Sequence, residues 1–551
     1  MLFGLLAWVD GIIAELLLPL AIFLILSGLD DLFLDLALVA HHRRRGRAPP
    51  AADTGDRPEK RIAVFIPLWR EHEVIEGMLA HNLTAVRYAN YEVFLGVYPN
   101  DESTLAAARR AAQRHGNVHV AVCPHDGPTS KADCLNWIYQ HMLLYEEQAG
   151  TRFDLVVTHD AEDILHPESL RQINRYADAY DMVQIPVLPL PTPLYKLTHG
   201  VYCDEFAEYQ TKDMPLRKRL GGFLPSNGVG TGYTRRALEA LAQSAANRVF
   251  EPECLTEDYE NGYRLHRLGF RQVFTAWHFS GARPVATREY FPQKFRQAVR
   301  QRTRWVLGIA LQSWERHGWG SRLGERYWFW RDRKGLIGNP VSLLSNVMFL
   351  YGAATWLASR LRNTAWGLAA ALDPALAPWL AAAVLLLTAV RTGVRMGCAA
   401  RFYGWRFAIG VPVRIVWANG LNTLATVAAV WKYAAARLAR RPLVWVKTEH
   451  RYPTREALVD MRLISPEELE RLIERVEPRA VRREIARALP ARVVRQWRVL
   501  PFKVEEGTLF VATPESPAPA VRRELARFTR LEIRFHLVTA ENYEELVRLL
   551  L

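Results

Sequence analysis

At 551 residues the chain is long enough for two or three domains, and half of it is apolar. Its formal net charge of +14 fits nucleic acid or an anionic membrane surface. The apolar residues gather in blocks near the N-terminus and at about 341–431, which favours the membrane and sets nucleic acid aside. The five cysteines (123, 134, 203, 254, 398) form no CxxC and no metal-like spacing, which argues against a disulfide framework or thiolate metal site and for reduced cytosolic thiols.

In chain order, the segment 12–28, IIAELLLPLAIFLILSG, is just long enough with its neighbours to span a bilayer. No small-residue cleavage site follows, so 1–45 reads as a retained anchor rather than a signal peptide. The basic cluster at 43–47 places the next domain on the cytoplasmic side. The stretch 46–60 is a linker.

From 61 to 320 a mostly parallel α/β domain is expected, because short apolar runs alternate with helix-like segments. The runs are 61–67, 92–98, 119–123, 154–160, 182–187 and 271–279. In open α/β sheets ligands bind beyond the carboxyl ends of the strands. Glu71, Asp101 and the pair Asp160 and Glu162 follow three of these runs. In LVVTHDAEDILHPESL (155–170) a β-branched run ends in Asp160, Glu162 and Asp163. Such crowding requires a cation or raised pKa values. Asp160 and Glu162, two apart on an extended loop, point the same way and can grip one hard divalent ion that keeps sites open for phosphates. The competing account is a solvated turn.

CLTEDYENGYRLHRLG (254–269) puts Thr256 at a helix N-cap with Glu257 and Asp258 in the first turn. Favourable charge at a helix N-terminus explains that pattern more simply. FRQAVRQRTRWVLG (295–308) is a basic helix carrying Gln301, Arg302, Arg304 and Trp305. It reads either as a membrane-surface helix or as a site where Arg holds a diphosphate leaving group and Trp305 stacks on a sugar face. In 321–445, two further spans are expected at 341–361 and about 371–392. The stretch 410–441 carries Arg414 and Asn419 inside an apolar run and ends in a basic cluster, so an interfacial helix explains it better than a fourth span. Three spans return the C-terminal region to the cytoplasm; a fourth puts it outside. The remainder, 446–551, is soluble in pattern.

Asp101, DAED (160–163), TED (256–258) and QRTRW (301–305) stand in the order that resembles processive family-2 glycosyltransferases of GT-A fold, such as cellulose and hyaluronan synthases. Over nearly the whole chain, LSGLDDLF (26–33), GPTSKADCLN (127–136), VQIPV (183–187), GVGT (228–231), LTEDY (255–259), REYFP (288–292) and WRDRKG (330–335) are similar to the bacteriophage adsorption protein B family of bacterial inner membranes. The resemblance implies an inverting transferase moving a hexose or hexosamine from a UDP-sugar to an exopolysaccharide. It also implies a multi-pass inner-membrane setting, an outer-membrane export partner and a part in phage adsorption; a catalytically inactive scaffold is the alternative.

By the same resemblance Glu71 and Asp101 contact uridine and Lys131 lies near the nucleotide. Asp160 with Glu162 or Asp163 binds Mg²⁺ or Mn²⁺, since Glu162 stands where the family has its second Asp. Asp258, with Glu257 beside it, is the general base. Gln301, Arg302, Arg304 and Trp305 hold the diphosphate and acceptor, and SNGVGTG (226–232) lines the acceptor path. The region 446–551 resembles the N-terminal domain of type II secretion ATPases, which in some relatives binds cyclic di-GMP. That motif begins RLGxxL; here Pro453, Thr454 and Arg455 replace its first three residues and Arg462 stands where a Gly belongs.

Overall fold

The computed structural model describes residues 2–44, 57–275, 277, 279–280, 283–443, 452, 461, 475–505, 507–514, 521 and 524–551. Most of the expected linker, and all of the stretch 453–464 aligned with the cyclic di-GMP motif except Met461, lie outside them. The chain divides into two compact units, 1–79 with 86–452, and 453–551 with 80–85.

The strands of the first unit are β1 (Ile62–Pro67), β2 (Tyr91–Val97), β3 (Val118–Val122), β4 (Leu155–Thr158), β5 (Met182–Gln184), β6 (Val187–Pro189), β7 (Thr231–Thr234), β8 (Gln272–Phe274), β9 (Phe279–Ser280), β10 (Arg283–Pro284) and β11 (Thr287–Glu289). Seven of them form one sheet in the order β3-β2-β1-β4-β7-β5-β8. All run parallel except β7, which pairs antiparallel with both β4 and β5. β1 and β4 are buried nearly throughout, as β-branched runs covered on both faces should be. Because β1, β2 and β4 share one direction, their carboxyl ends lie along one edge, which is where the acids follow.

Among the described residues four helices are long and apolar enough to cross a membrane: Leu6–His41, Gly335–Leu361, Ala377–Tyr403 and Val411–Leu438. The last differs from the others. In its most apolar window 39% is buried in the protein, against none for the two before it. Its polar residues run along its length; three of them meet the α/β domain, while Thr423 and Thr426 bond Asn339 of helix Gly335–Leu361. Arg414 makes a two-pronged ion pair with Asp204 at 2.6 and 2.9 Å, Asn422 accepts from Arg302 at 2.6 Å, and Arg437 pairs with Glu315. Arg414 is therefore buried against helix Leu197–Thr211 and does not face an aqueous interface, as its place in the sequence suggests.

Helix Leu197–Thr211 carries two further acids that serve the same end. Glu205 pairs with Arg302 at 2.7 Å, and Glu208 with Arg395 at 2.6 Å. At the N-terminal helix, Asp30 and Asp31 hold Arg331 and Lys334 at 2.6–3.1 Å. Such pairs are costly to break singly, because the remaining charge stays buried.

In the second unit β12 (Leu500–Glu505), β13 (Thr508–Thr513) and β14 (Glu532–Leu537) form a sheet, antiparallel then parallel. Helices Ala491–Trp497 and Ala540–Leu550 supply Val494 and Leu546 to a core with Leu500 and Val511.

Candidate active site

A cavity of about 460 Å³ opens at the carboxyl edge of the sheet. Beyond β1 lie Trp69 and Glu71. The loop is held by backbone N–H groups: Leu68 donates to Gly96 O at 2.8 Å, Arg70 to Asp101 Oδ2 at 2.5 Å, and Glu71 to Thr104 Oγ1 at 3.0 Å. Asp101 thus caps helix Glu102–Arg114 and fixes the loop that presents Glu71. It does not itself line the cavity.

Lys131 opens helix Lys131–Ala149, whose N-cap Ser130 accepts from Asp133 N–H at 3.2 Å. Its Nζ lies 2.5 Å from Asp160 Oδ1. Burial alone would lower the Lys131 pKa, but Asp160, Glu257 and Asp258 outweigh it and raise it, so the ammonium stays charged. Glu162 lines the cavity beside Asp160. Asp163 does not: wholly buried, it lies 2.7 Å from His159 Nδ1 and accepts from Asp160 N–H at 3.0 Å. Burial pushes the His159 pKa down to about 3 and the Asp163 carboxyl up, so this pair shares a proton rather than a charge. The acids crowded after β4 are thus separated by direction. Asp160 meets Lys131, Glu162 faces the cavity, and Asp163 turns inward to His159.

The third wall is TED. Thr256 stands at the N-cap position of helix Glu257–Arg267, yet its side chain caps nothing. It packs instead on Gly308, where a Cβ would fall 2.4 Å from Thr256 Oγ1. Gly308 belongs to a π-helix, Val306–Gln312, that continues directly from QRTRW. Gln312 of that turn accepts from Leu255 N–H at 3.0 Å and donates to Glu253 O at 2.9 Å. The basic helix and TED are thereby clamped together. From the other side, Tyr259 OH donates to Asp332 at 2.7 Å, and Asp332 also pairs with Arg217.

Glu257 and Asp258 are held by burial, and Glu257 further by the neighbouring Asp258 charge, at raised pKa values, Glu257 at about 7. Gly228 has φ +78, a region that favours glycine, and a Cβ there would lie 2.8 Å from Asp258 Oδ2. Buried Gln184 sets that loop, accepting from Asn227 N–H at 2.8 Å and from Thr231 Oγ1 at 2.7 Å.

Of QRTRW, Gln301, Arg304 and Trp305 line the cavity. Arg302 is turned away, buried between Glu205 and Asn422 with its guanidinium 4.3 Å over the Tyr202 ring. Trp305 sits among Tyr202, Phe206 and Phe291. Gln184 and Asp332 lie in VQIPV and WRDRKG, so a motif flags both; Gln312 has no such signal and was missed, as was Glu205 in the cavity wall.

Asp160 and Glu162 are hard oxygen donors facing one space, a set suited to Mg²⁺ or Mn²⁺. Among the described residues no third His, Cys, Asp or Glu completes a metal-holding cluster. An ion there would therefore draw its remaining ligands from water and phosphate oxygens, as such ions commonly do.

Residues 58–308 match the family model described as glycosyltransferase like family 2, and 473–550 match the MshEN domain. The mostly parallel sheet with its acid-bearing edge is that of a GT-A glycosyltransferase, in a chain that also has helices able to span a membrane and a small C-terminal domain. The chain is 30% identical to bacteriophage adsorption protein B of Escherichia coli strain K12, over 96% of this chain and 80% of that one. The same values hold for bacteriophage N4 adsorption protein B of Escherichia coli O157:H7. The chain belongs to the bacteriophage adsorption protein B family. Among solved structures, a mannosyltransferase from Pyrobaculum calidifontis in complex with GDP-Man and Mn²⁺ overlaps with a TM-score of 0.47 at 16% identity, covering 75% of this chain and 99% of that one.

Proposed function

We propose that the chain transfers a hexose or hexosamine from a UDP-sugar to a growing exopolysaccharide, with inversion at the anomeric carbon. The observation that carries this is the meeting of Lys131, Asp160, Glu162, Asp258, Arg304 and Trp305 around one cavity. Asp258 accepts the proton of an acceptor hydroxyl as its oxygen bonds to the anomeric carbon. The bond from that carbon to the diphosphate breaks, and its electron pair leaves on UDP. Arg304 and Lys131 face the charge that develops there, in a site where such charges are worth more than in water. Asp160 and Glu162 would hold Mg²⁺ or Mn²⁺, which when bound neutralises diphosphate charge. Glu71 faces the nucleotide side, and Asp101 supports it from behind. Arg302 acts through the fold, by holding helix Phe295–Trp305 to helix Leu197–Thr211.

The setting we propose is a bacterial inner membrane, with three spans and with the α/β domain and the C-terminal domain cytoplasmic. Helix Val411–Leu438 lies along the interface, supported by its pairing with the α/β domain from Arg414 to Arg437. Use by a phage accords with the relatives' names; export through an outer-membrane partner is part of the same proposal. Cyclic di-GMP is the ligand the MshEN match suggests, against the substitutions at 453–455 and 462. Purified protein in detergent with Mn²⁺ and a panel of UDP-sugars tests the activity. A polymeric product from one donor, absent for Asp258→Asn, is expected; no UDP release from any donor would leave an inactive scaffold.

A further inference from the structure

A second cavity, of about 440 Å³, shares Arg304 with the first. Leu255, Thr303 and Leu307 form its floor. Ala435 and Ala436, in the last turn of helix Val411–Leu438, and Ala439 at its C-cap leave one wall open where longer side chains would fill it. Among the described residues four cations reach into it, Arg300, Arg304, Lys432 and Arg441, and no acid lines it. Arg437 on the same turns is taken by Glu315, whereas Arg300, Lys432 and Arg441 meet no carboxylate among the described residues. Four like charges around an apolar hollow repel one another unless an anion lies between them.

We propose that this cavity binds the headgroup of an anionic phospholipid. Guanidinium and ammonium groups take the phosphate, and the Ala and Leu walls take the glycerol and first methylenes. A free phosphate or nucleotide would have no use for those walls. The cavity also closes the end of a helix apolar enough to lie in a membrane, where such headgroups are at hand. Its size is that of a small-ligand pocket. Arg304 donates to the carbonyl of Leu255 at 3.2 Å, directly before TED, so a bound phosphate sits one residue from the transfer site.

The test reads binding, so it stands whether or not the transfer chemistry is as proposed. Full-length protein in detergent is titrated with phosphatidylglycerol or phosphatidylcholine and bound lipid is counted by native mass spectrometry. Phosphatidylglycerol should occupy one site at least about tenfold more tightly, since each basic residue near an anionic headgroup contributes severalfold. Arg300→Ala, Lys432→Ala and Arg441→Ala together, with Arg304 kept, should reduce that preference to within about twofold. Ala436→Trp, which fills the hollow and keeps every charge, should also lose the site, and unaltered UDP binding by both variants shows that the fold survives. Equal binding of the two lipids, or a preference that persists in both variants, overturns the proposal. Displacement of the lipid by millimolar inorganic phosphate overturns it too, because the anion alone would then be the ligand.

Discussion

Asp258 sits where burial raises its pKa while Lys131 and the Tyr259 N–H oppose that rise. Asp258→Asn should keep UDP-sugar binding and lower turnover by roughly 10²-fold or more, as loss of a general base does; turnover within a factor of two of the parent excludes the role. The raised values also set a pH dependence. A base must be ionised, and burial raises the Asp258 carboxyl, so kcat/KM should fall on acidification already above the ordinary carboxylate range. Stability moves the other way: between 4.5 and about 7 the folded chain binds more of the Glu257 proton than the unfolded chain, so this group weakens the fold as pH rises through that window. A pH–rate profile whose acid limb lies in the ordinary carboxylate range contradicts this. At Asp160 and Glu162, calorimetry should find UDP bound about tenfold or more tightly with Mn²⁺ than without, by linkage. The double change Asp160→Asn and Glu162→Gln should abolish that gain at unchanged melting temperature; equal affinity in both conditions returns these acids to a simple turn.

At the scale of elements, the strands with unbroken β-branched runs were legible because their periodicity and burial agree, as in IAVFIP and LVVT. Strand β7 was not. TGYT is four residues with a glycine, and its pairing between β4 and β5 comes from tertiary neighbours rather than its own pattern. The π-helix is equally silent in sequence, for VLGIALQ reads as ordinary helix. Its wider turn sets Gly308 on Thr256 and Gln312 on Leu255. The ion pair of Arg414 with Asp204 ties two elements far apart in the chain. Arg414→Ala should cost about 3–5 kcal/mol, because Asp204 is left buried and charged. Removing both charges with apolar residues should cost less than either single change, which a double-mutant cycle by thermal melting in detergent checks.

For the whole molecule, the expected α/β domain, helices long and apolar enough to cross a membrane and a small C-terminal domain are all found. The topology turns on helix Val411–Leu438. It meets the α/β domain at Arg414, Asn422 and Arg437 and the helix Gly335–Leu361 at Thr423 and Thr426, and a helix crossing the bilayer away from the α/β domain would forgo the first three contacts. A reporter fused after Leu551 should therefore read as cytosolic in intact cells. A periplasmic signal means that this helix crosses and that the three-span arrangement is wrong.

Sequence by itself determined the family, the fold class and the four motifs, because hydrophobic periodicity and ordered polar residues survive without coordinates. Tertiary structure alone decided which of the acids and bases in those motifs face one space. Asp160, Glu162, Asp258 and Arg304 line the cavity, while Asp101, Asp163 and Arg302 turn to Arg70 N–H, His159 and Glu205. The physical reason is that side chains a few residues apart on a loop or helix share a motif but not a direction. A buried charge points to whichever partner the fold brings within hydrogen-bonding distance, and those partners lie tens of residues or more away in most of these cases.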